Sequence, residues 1–156
     1  MSRVLFLQNN GINESLALTE VSAMLQRGGH EVLLLLEDEE RQLSKQVSSY
    51  NPQIAIVPCH VAGHEEALRY AHLIKTCTPG CLVVLAGTHA TFEPELAVEP
   101  SVDAVCVGEA DTALLDLCNR VSKGEDWRGA PNLAYEDGGL QQNEKLPLIA
   151  DLDSLA

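Results

Sequence analysis

The alternation of apolar runs with segments of helical spacing constrains the fold of this chain more than any other feature. Five short, continuous runs rich in Val, Leu and Ile have the length of strands that are buried on both faces of a sheet. Such alternation is typical of βαβ units, which form parallel sheets with right-handed crossovers. The predicted strands are 3–10, 30–38, 53–59, 81–87 and 103–109, and the predicted helices are 13–29, 39–50, 64–80, about 93–99 and 111–124.

Five strands connected in this way predict a flavodoxin-like α/β fold, a doubly wound five-stranded parallel sheet of order 2-1-3-4-5. Asn13 and Asp111 are residue types that cap helices, so they are predicted to begin the first and last helices. Gly28 and Gly29 are predicted to end the first helix, because glycine is favoured just after a helix C-terminus.

The pattern changes after Gly124, where strand and helix no longer alternate. Two short segments, "NLAYE" and "LQQNE", flank the turn sequence "DGG" and predict a C-terminal β-hairpin extension. We therefore expect residues 1–125 to form one domain and residues 126–156 to form a hairpin and a linker.

Charge and cysteine content narrow the possible partners. A formal net charge of −13 argues against nucleic acid, whose phosphates require Lys and Arg. No signal peptide or membrane-spanning segment is recognisable, and the five cysteines are an odd number. We expect a cytoplasmic protein with no membrane span and no nucleic-acid partner.

Ligands of doubly wound sheets bind at the carboxyl ends of the strands. No dinucleotide fingerprint or P-loop follows any strand, and the acids and lysine of a phosphoacceptor receiver are absent. His60 and His64 are four residues apart, but Gly63 interrupts them and no further ligand pair is visible, so no protein-only metal site is predicted. The loops that remain as the candidate site are 8–15, 58–64, 87–93 and 108–112.

Glycines end the fourth and fifth predicted strands. Gly87 and Gly108 allow close approach of backbone or ligand. Thr88, Ala90 and Thr91 have small side chains, so no bulky group covers the surface beside Gly87. Because the two strands are neighbours in the predicted sheet, the glycines indicate a broad trench at the carboxyl ends of the strands. The alternative is that both glycines only form tight turns between strand and helix.

The segment 85–117 resembles the cobalamin-binding domain of cobalamin-dependent radical S-adenosylmethionine enzymes. That family has Gly-Gly-x-His-(Ala/Pro)-Thr after strand four, where this chain has "GTHAT" at 87–91. It has Asp-x-Val-Val-x-Gly-Glu-Gly-Glu before the last helix, where this chain has "DAVCVGEAD" at 103–111. The similarity continues through the hairpin and "LPLIADLDSL", so it covers nearly the whole chain.

The resemblance implies that cobalamin is the cofactor and that the four loops contact it. The implied cofactor-binding residues are Gln8, Asn9, Asn10, Gly11, Ile12, Asn13, Ser15, Leu16, Pro58, Cys59, His60, Val61, Gly87, Thr88, His89, Ala90, Thr91, Val107, Gly108, Glu109 and Ala110.

Two departures from related cobalamin modules bear on the cobalt ligand. Methionine-synthase-like modules carry Asp-x-His-x-x-Gly after strand one, and its histidine coordinates cobalt, whereas this chain has "QNNGIN" there. "HVAG" at 60–63 lacks the Asp and lies in a different loop, and Pro58-Cys59-His60 stands where cobalamin domains usually have Ser-x-Leu. The implied binding mode is therefore base-off, with the dimethylbenzimidazole tail displaced from cobalt and no protein histidine in its place.

The resemblance implies a cobalamin-binding module of a radical S-adenosylmethionine enzyme, a methyltransferase, that binds but does not turn over alone. The [4Fe-4S] cluster and S-adenosylmethionine would belong to a radical domain, in cis or in trans, that this chain lacks. Two alternatives remain open at this point. One is a stand-alone corrinoid carrier or sensor, and the other is a small flavin- or nucleotide-binding protein of the same fold.

Overall fold

One mixed sheet of seven strands organises the computed structural model, which describes residues 1–9, 16–37 and 42–148, with no side-chain detail for Leu16 and Ala17. The spatial order is β2-β1-β3-β4-β5-β6-β7. The strands are β1 (Arg3–Gln8), β2 (Glu31–Leu36), β3 (Ile54–Pro58), β4 (Leu82–Ala86), β5 (Ala104–Cys106), β6 (Leu133–Glu136) and β7 (Leu140–Gln142).

Helices connect the parallel strands, as the sequence pattern predicts. Short 3-10 helices lie at Val61–Gly63, Pro94–Val98 and Trp127–Gly129. No helix in the described ranges is long and apolar enough to cross a membrane. The α-helices are α1 (Leu16–Arg27), α2 (Leu43–Tyr50), α3 (His64–Cys77), α4 (Thr88–Phe92) and α5 (Asp111–Lys123).

The predicted order 2-1-3-4-5 of the parallel strands is confirmed, but the prediction of a five-stranded sheet is wrong. The hairpin is not an appendage: β6 runs antiparallel to β5, with Cys106 opposite Leu133, and β7 pairs with β6. Without β6, β5 would leave its outer backbone groups unpaired. The Val107 N–H continues the pairing by donating to the Asn132 carbonyl oxygen at 2.7 Å.

Two cores lie on opposite faces of the sheet, because successive strand residues point to opposite sides. Val4 and Phe6 face the side covered by α1 and α5. Leu5 and Leu7 face the side covered by α2 and α3. The central parallel strands β1, β3, β4 and β5 are apolar on both faces for this reason, and each face forms its own packed layer between sheet and helices.

Two local predictions are wrong in detail. The segment 87–93 was predicted as a loop, but Thr88–Phe92 forms the short helix α4, whose five residues are too few to show a helical period in sequence. Asp111 was predicted to cap the last helix, but the cap position is occupied by Ala110 and Asp111 is the first helical residue.

A charged cluster joins the end of β2 to α3. Arg69 donates two hydrogen bonds to the Glu37 carboxylate, at 2.7 and 2.6 Å, and the buried Tyr70 hydroxyl donates a third at 2.7 Å. These donors, the Arg69 hydrogen bond first, lower the pKa of Glu37 to about 2 from an ordinary value of 4.5. The cluster therefore stabilises the fold only while Glu37 is ionised.

We expect acid to remove this stabilisation. Because the folded-state pKa of Glu37 is depressed, its contribution is complete above about pH 4.5 and is lost as the pH falls towards about 2. The Arg69 side chain is 52% exposed, so solvent screening limits the contribution to about 1–2 kcal/mol. Urea unfolding at pH 7 and at pH 3 measures it: Glu37→Gln is expected to lower the free energy of unfolding at pH 7 and to differ less from wild type at pH 3.

The matched control for this measurement is Glu65→Gln, which removes an exposed carboxylate from α3. A wild-type to Glu37→Gln difference that is the same at both pH values would contradict the assigned role of the Glu37 charge.

Candidate functional site

A cavity of about 380 Å³ opens at the carboxyl ends of the central strands, on the face covered by α1 and α5. Cavities of roughly 300–1,000 Å³ are typical of small-molecule sites. Phe6, Ile56 and Ala86 from three different strands line its sheet side, and Val21 and Leu114 from the two helices line its walls. The interior is thus mainly apolar and is built by residues distant in sequence.

The small side chain of Ala86 creates much of this space. Ala86 is the last residue of β4, and it pairs with Pro58 on one neighbouring strand and with Cys106 on the other. Phe6 and Ile56 pair with each other one row deeper in the sheet and fill that row. At the carboxyl ends of the strands, between Pro58 and Cys106, the Ala86 side chain is only a methyl group. The space between this part of the sheet and helices α1 and α5 is therefore open rather than filled by packed side chains.

Two glycine turns border the cavity and are joined by one hydroxyl group. Gly87 has φ +128° and Gly108 has φ +93°, both in the region that favours glycine. The Thr91 hydroxyl donates to the Gly87 carbonyl oxygen at 2.9 Å and accepts from the Gly108 N–H at 3.0 Å. A Cβ on Gly87 would lie 2.8 Å from the Cys59 carbonyl oxygen. The two readings of the glycines are therefore compatible, since both form tight turns and both line the cavity.

Three of the polar side chains that line the cavity are acidic. Glu20, Glu109 and Asp111 line it together with the apolar residues. Asp111 is only 7% exposed, yet its carboxylate has no hydrogen-bond or ion-pair partner among the described residues. Burial, and then the negative charges of Asp111 and Glu109, raise the pKa of the Cys106 thiol to about 12. The local potential is negative, and Cys106 stays a neutral thiol at physiological pH.

Three histidines lie near the ends of β3 and β4, and one of them, His60, lines the cavity. The His60 ring nitrogen lies 3.4 Å from the Thr88 hydroxyl, and the rings of His64 and His89 are 4.7 Å apart between centroids. Within the ranges that the structure describes, no three or more His, Cys, Asp or Glu side chains are grouped so that they could hold a metal ion. His60 is a polar group of the rim.

The structure brings together only part of the predicted site. Cys59, Ala90 and Val107 are buried in the core on the opposite face of the sheet, and Gln8, Asn9, Val61 and His89 lie outside the cavity lining. Asn10, Gly11, Ile12, Asn13, Ser15 and the side chain of Leu16 lie outside the described residues. The predicted residues that line the cavity are Pro58, His60, Gly87, Thr88, Thr91, Gly108, Glu109 and Ala110.

The implied set of cofactor-binding residues left out nine residues that line the cavity, of which Phe92 and Asp111 lie in the candidate loops and the others lie within strands and helices. The period-two pattern of the strands carried a signal for Ile56, which lies two residues before Pro58 on the same face. The missed lining residues are Phe6, Leu18, Glu20, Val21, Ile56, Ala86, Phe92, Asp111 and Leu114.

A second, more polar groove of about 740 Å³ lies at the amino ends of the strands. Its charged groups already have partners: the Lys75 ammonium lies 2.6 Å from the Asp103 carboxylate, and the Arg3 guanidinium donates to the Asn51 carbonyl oxygen at 2.9 Å. The Asp103 carboxylate in this groove is paired, unlike the Asp111 carboxylate of the first cavity. We therefore take the cavity at the carboxyl ends as the candidate site.

Comparison with known protein families gives one match that covers most of the chain. Residues 3–118 match the model of the B12 binding domain family. The matched range contains all five parallel strands and most of α5, and therefore the whole lining of the cavity.

Two curated relatives are methyltransferases. An uncharacterized methyltransferase of Pyrococcus horikoshii is 30% identical over 116 residues, which are 72% of this chain and 25% of the relative. The cobalamin-dependent radical SAM methyltransferase TokK of Streptomyces tokunonensis is 27% identical over 110 residues, which are 66% of this chain and 16% of the relative. The chain thus spans a quarter or less of the length of these relatives.

A solved structure has the same fold. The radical S-adenosylmethionine methyltransferase TsrM from Kitasatospora setae, with cobalamin and a [4Fe-4S] cluster bound, superposes with a TM-score of 0.79 at 19% identity. The match covers 97% of this chain and 30% of TsrM. At this identity, the similarity establishes a common fold that includes the C-terminal hairpin.

Proposed function

Because the chain belongs to the B12-binding domain family, we propose that it binds cobalamin and that the cavity at the carboxyl ends of β1, β3, β4 and β5 receives the nucleotide end of the cofactor. The observation that carries this proposal is the cavity itself, which is apolar inside, bordered by two glycine turns and open at the edge of the sheet. An apolar slot of this volume matches the flat dimethylbenzimidazole ring.

The residues present fit such a ligand. Phe6, Ile56 and Leu114 offer apolar surface to a flat ring, and Ala86 leaves the space that it needs. At the rim, the exposed side chains of His60 and Thr88 offer hydrogen-bond donors and acceptors of the kind that corrin side amides require. The chain's own contribution is therefore to bind and orient the cofactor.

The test is a binding titration with hydroxocobalamin. After incubation and gel filtration, we expect corrin absorbance to elute with the protein at a one-to-one ratio. Incubation with FMN is the parallel arm, and no flavin is expected to co-elute because a phosphate group is disfavoured next to Glu20, Glu109 and Asp111. Co-elution of FMN without any corrinoid would reject the proposal in favour of a flavin-binding protein.

We also propose that cobalamin is bound base-off, without a protein histidine on cobalt. A ring that occupies the cavity is detached from the metal, and the segment 8–15 contains no histidine to replace it. His64 and His89 contact each other, and His60 contacts Thr88. The electron paramagnetic resonance spectrum of the bound cobalt(II) form tests this. We expect no splitting from an axial nitrogen, and a triplet splitting from one nitrogen would contradict base-off, histidine-free binding.

The wider activity that we propose is that of a cobalamin module serving a radical S-adenosylmethionine methyltransferase domain. Support comes from the methyltransferase relatives and from the shared fold. When bound, cobalamin supplies a cobalt centre that can accept and pass on a methyl group. The coding sequence beyond Ala156 and the adjacent genes provide a test. A Cys-x3-Cys-x2-Cys motif there is the expected result, and its absence from both would favour a stand-alone corrinoid carrier or sensor.

A further inference from the structure

The Asp111 side chain places an unpaired carboxylate in the wall of the cavity. Asp111 is the first residue of α5, is 7% exposed and lines the cavity. No residue in the described part of the chain donates a hydrogen bond to its side chain or forms an ion pair with it. No unpartnered side-chain oxygen among the described residues is sealed from solvent, so the Asp111 oxygens stay accessible through the opening of the cavity. An unpaired and accessible carboxylate in a cavity wall is a hydrogen-bond acceptor that a ligand can use.

A ligand group that pairs with this carboxylate has to be a hydrogen-bond donor. An ionised carboxylate can only accept hydrogen bonds, so the ligand must present an O–H or N–H group. Glu20 and Glu109 add negative charge around the same cavity, and this charge disfavours a phosphate or another anion inside. The remaining surface is apolar, with Phe6 and Ile56 at the sheet. A flat apolar ring that carries a hydroxyl-bearing sugar satisfies all three conditions, provided that its phosphate stays outside.

We propose that Asp111 accepts a hydrogen bond from a ribose hydroxyl of the cofactor's nucleotide and thereby selects corrinoids that carry this nucleotide. This inference rests on the proposed function and adds to it a specific recognition residue. The local structure suits the role, because the free N–H groups of the first turn of α5 hold the carboxylate at the cavity wall through favourable electrostatics. The charge that faces the cavity is therefore tolerated before the ligand arrives.

Two corrinoids that both carry hydroxide on cobalt, one with the nucleotide and one without it, test the proposal. Hydroxocobalamin carries the nucleotide, and hydroxyaquacobinamide lacks it. We expect Asp111→Ala to weaken hydroxocobalamin binding by about 10- to 100-fold, as for loss of a hydrogen bond to a charged group. Cobinamide affinity is expected to be the same for both proteins. Asp111→Asn, which retains an acceptor oxygen, is expected to lose clearly less affinity than Asp111→Ala.

The matched control is Asp116→Asn, which removes a partly exposed carboxylate of the same helix that pairs with Arg120 outside the cavity. It is expected to leave the affinity for both probes unchanged. Thermal unfolding of the free protein provides a second readout. Because Asp111 has no side-chain partner to lose among the described residues, Asp111→Ala is expected to shift Tm by no more than about 4 °C, the value of a helix-terminus charge effect.

The possible failures are distinguishable. If wild type binds hydroxocobalamin and Asp111→Ala binds it equally well, the role of Asp111 is wrong while the proposed function stands. If Asp111→Ala loses affinity for cobinamide to the same extent, Asp111 acts on the fold or on the corrin ring, and the proposal is also wrong. A loss that grows as the pH is lowered from 8 to 6 would identify a protonated base as the donor and would overturn the ribose assignment. If wild type binds neither corrinoid, the proposed function itself fails.

Discussion

Replacement of Ala86 with leucine is expected to weaken cobalamin binding by about 100-fold while the fold remains intact. Ala86 lies at the centre of the last row of side chains on the α1–α5 face, between Pro58 and Cys106. Three additional carbon atoms at this position point into the cavity and occupy the space that we assign to the dimethylbenzimidazole ring. The ring must then either stay out of the cavity or displace packed side chains.

The stability of the free protein is expected to change in the opposite direction. The leucine side chain covers apolar surface of Phe6 and Ile56 that the cavity leaves open, so Tm should be equal to or higher than that of wild type. Titration with hydroxocobalamin and thermal unfolding of the same samples separate the two effects. An Ala86→Leu protein that binds within about threefold of wild type would place the nucleotide end somewhere other than this cavity.

The control for Ala86→Leu is Ala23→Leu, the same chemical change at an exposed position of α1 outside the cavity lining. It is expected to affect neither affinity nor stability. A similar loss of affinity in both variants would show that the effect does not depend on filling the cavity.

Replacement of Gly87 with alanine is expected to lower the free energy of unfolding by about 3 kcal/mol. Gly87 has φ +128° and ψ −171°, a backbone conformation that is essentially restricted to glycine. A Cβ there would also lie 2.8 Å from the Cys59 carbonyl oxygen, which accepts a hydrogen bond from the His89 N–H at 3.1 Å. The backbone must therefore shift at the point where β3 and β4 end side by side.

Urea unfolding followed by the fluorescence of Trp127, the single tryptophan, measures this loss. Gly63→Ala is the matched control, since Gly63 has φ −130° and open space around the position of a Cβ. We expect this control to stay within about 0.5 kcal/mol of wild type. Equal stability of the two variants would show that the Gly87 turn tolerates a side chain. Because Gly87→Ala acts on the fold, Ala86→Leu is the sharper probe of the ligand site.

The fold of the parallel part could be predicted because its signals are local. Continuous apolar runs such as 53–59 and 81–87 identify strands covered on both faces, and the helical segments between them require parallel pairing. The hairpin was also recognised from its "DGG" turn, but its place in the sheet was not. That place depends on the open edge of β5 and on Asn132, whose side-chain amide donates to the Glu109 carbonyl oxygen at 2.8 Å across 23 residues.

The site was predicted in part, for a comparable reason. Glycines at strand ends are visible in sequence, and Gly87 and Gly108 do border the cavity. Asp111 lies in the candidate loop 108–112 but was assigned only as a helix cap, because an acid before an apolar helix has the same sequence appearance whether it caps the helix or faces a cavity. Ala86 has no distinctive signal either, since an alanine that ends an apolar strand is ordinary until its neighbours are known.

By itself, the sequence determined the order of the elements, the two apolar faces of each strand and the glycine turns, because these depend on residues a few positions apart. Only the tertiary structure decided that Ala86 lies across from Pro58 and Cys106, next to the pair Phe6 and Ile56. Only it decided that Asp111 lines the resulting space with no side-chain partner in the described part of the chain. The physical reason is that a cavity is the volume that several distant side chains leave empty. Its size and polarity therefore exist only after the sheet register and the packing of α1 and α5 have brought those side chains together.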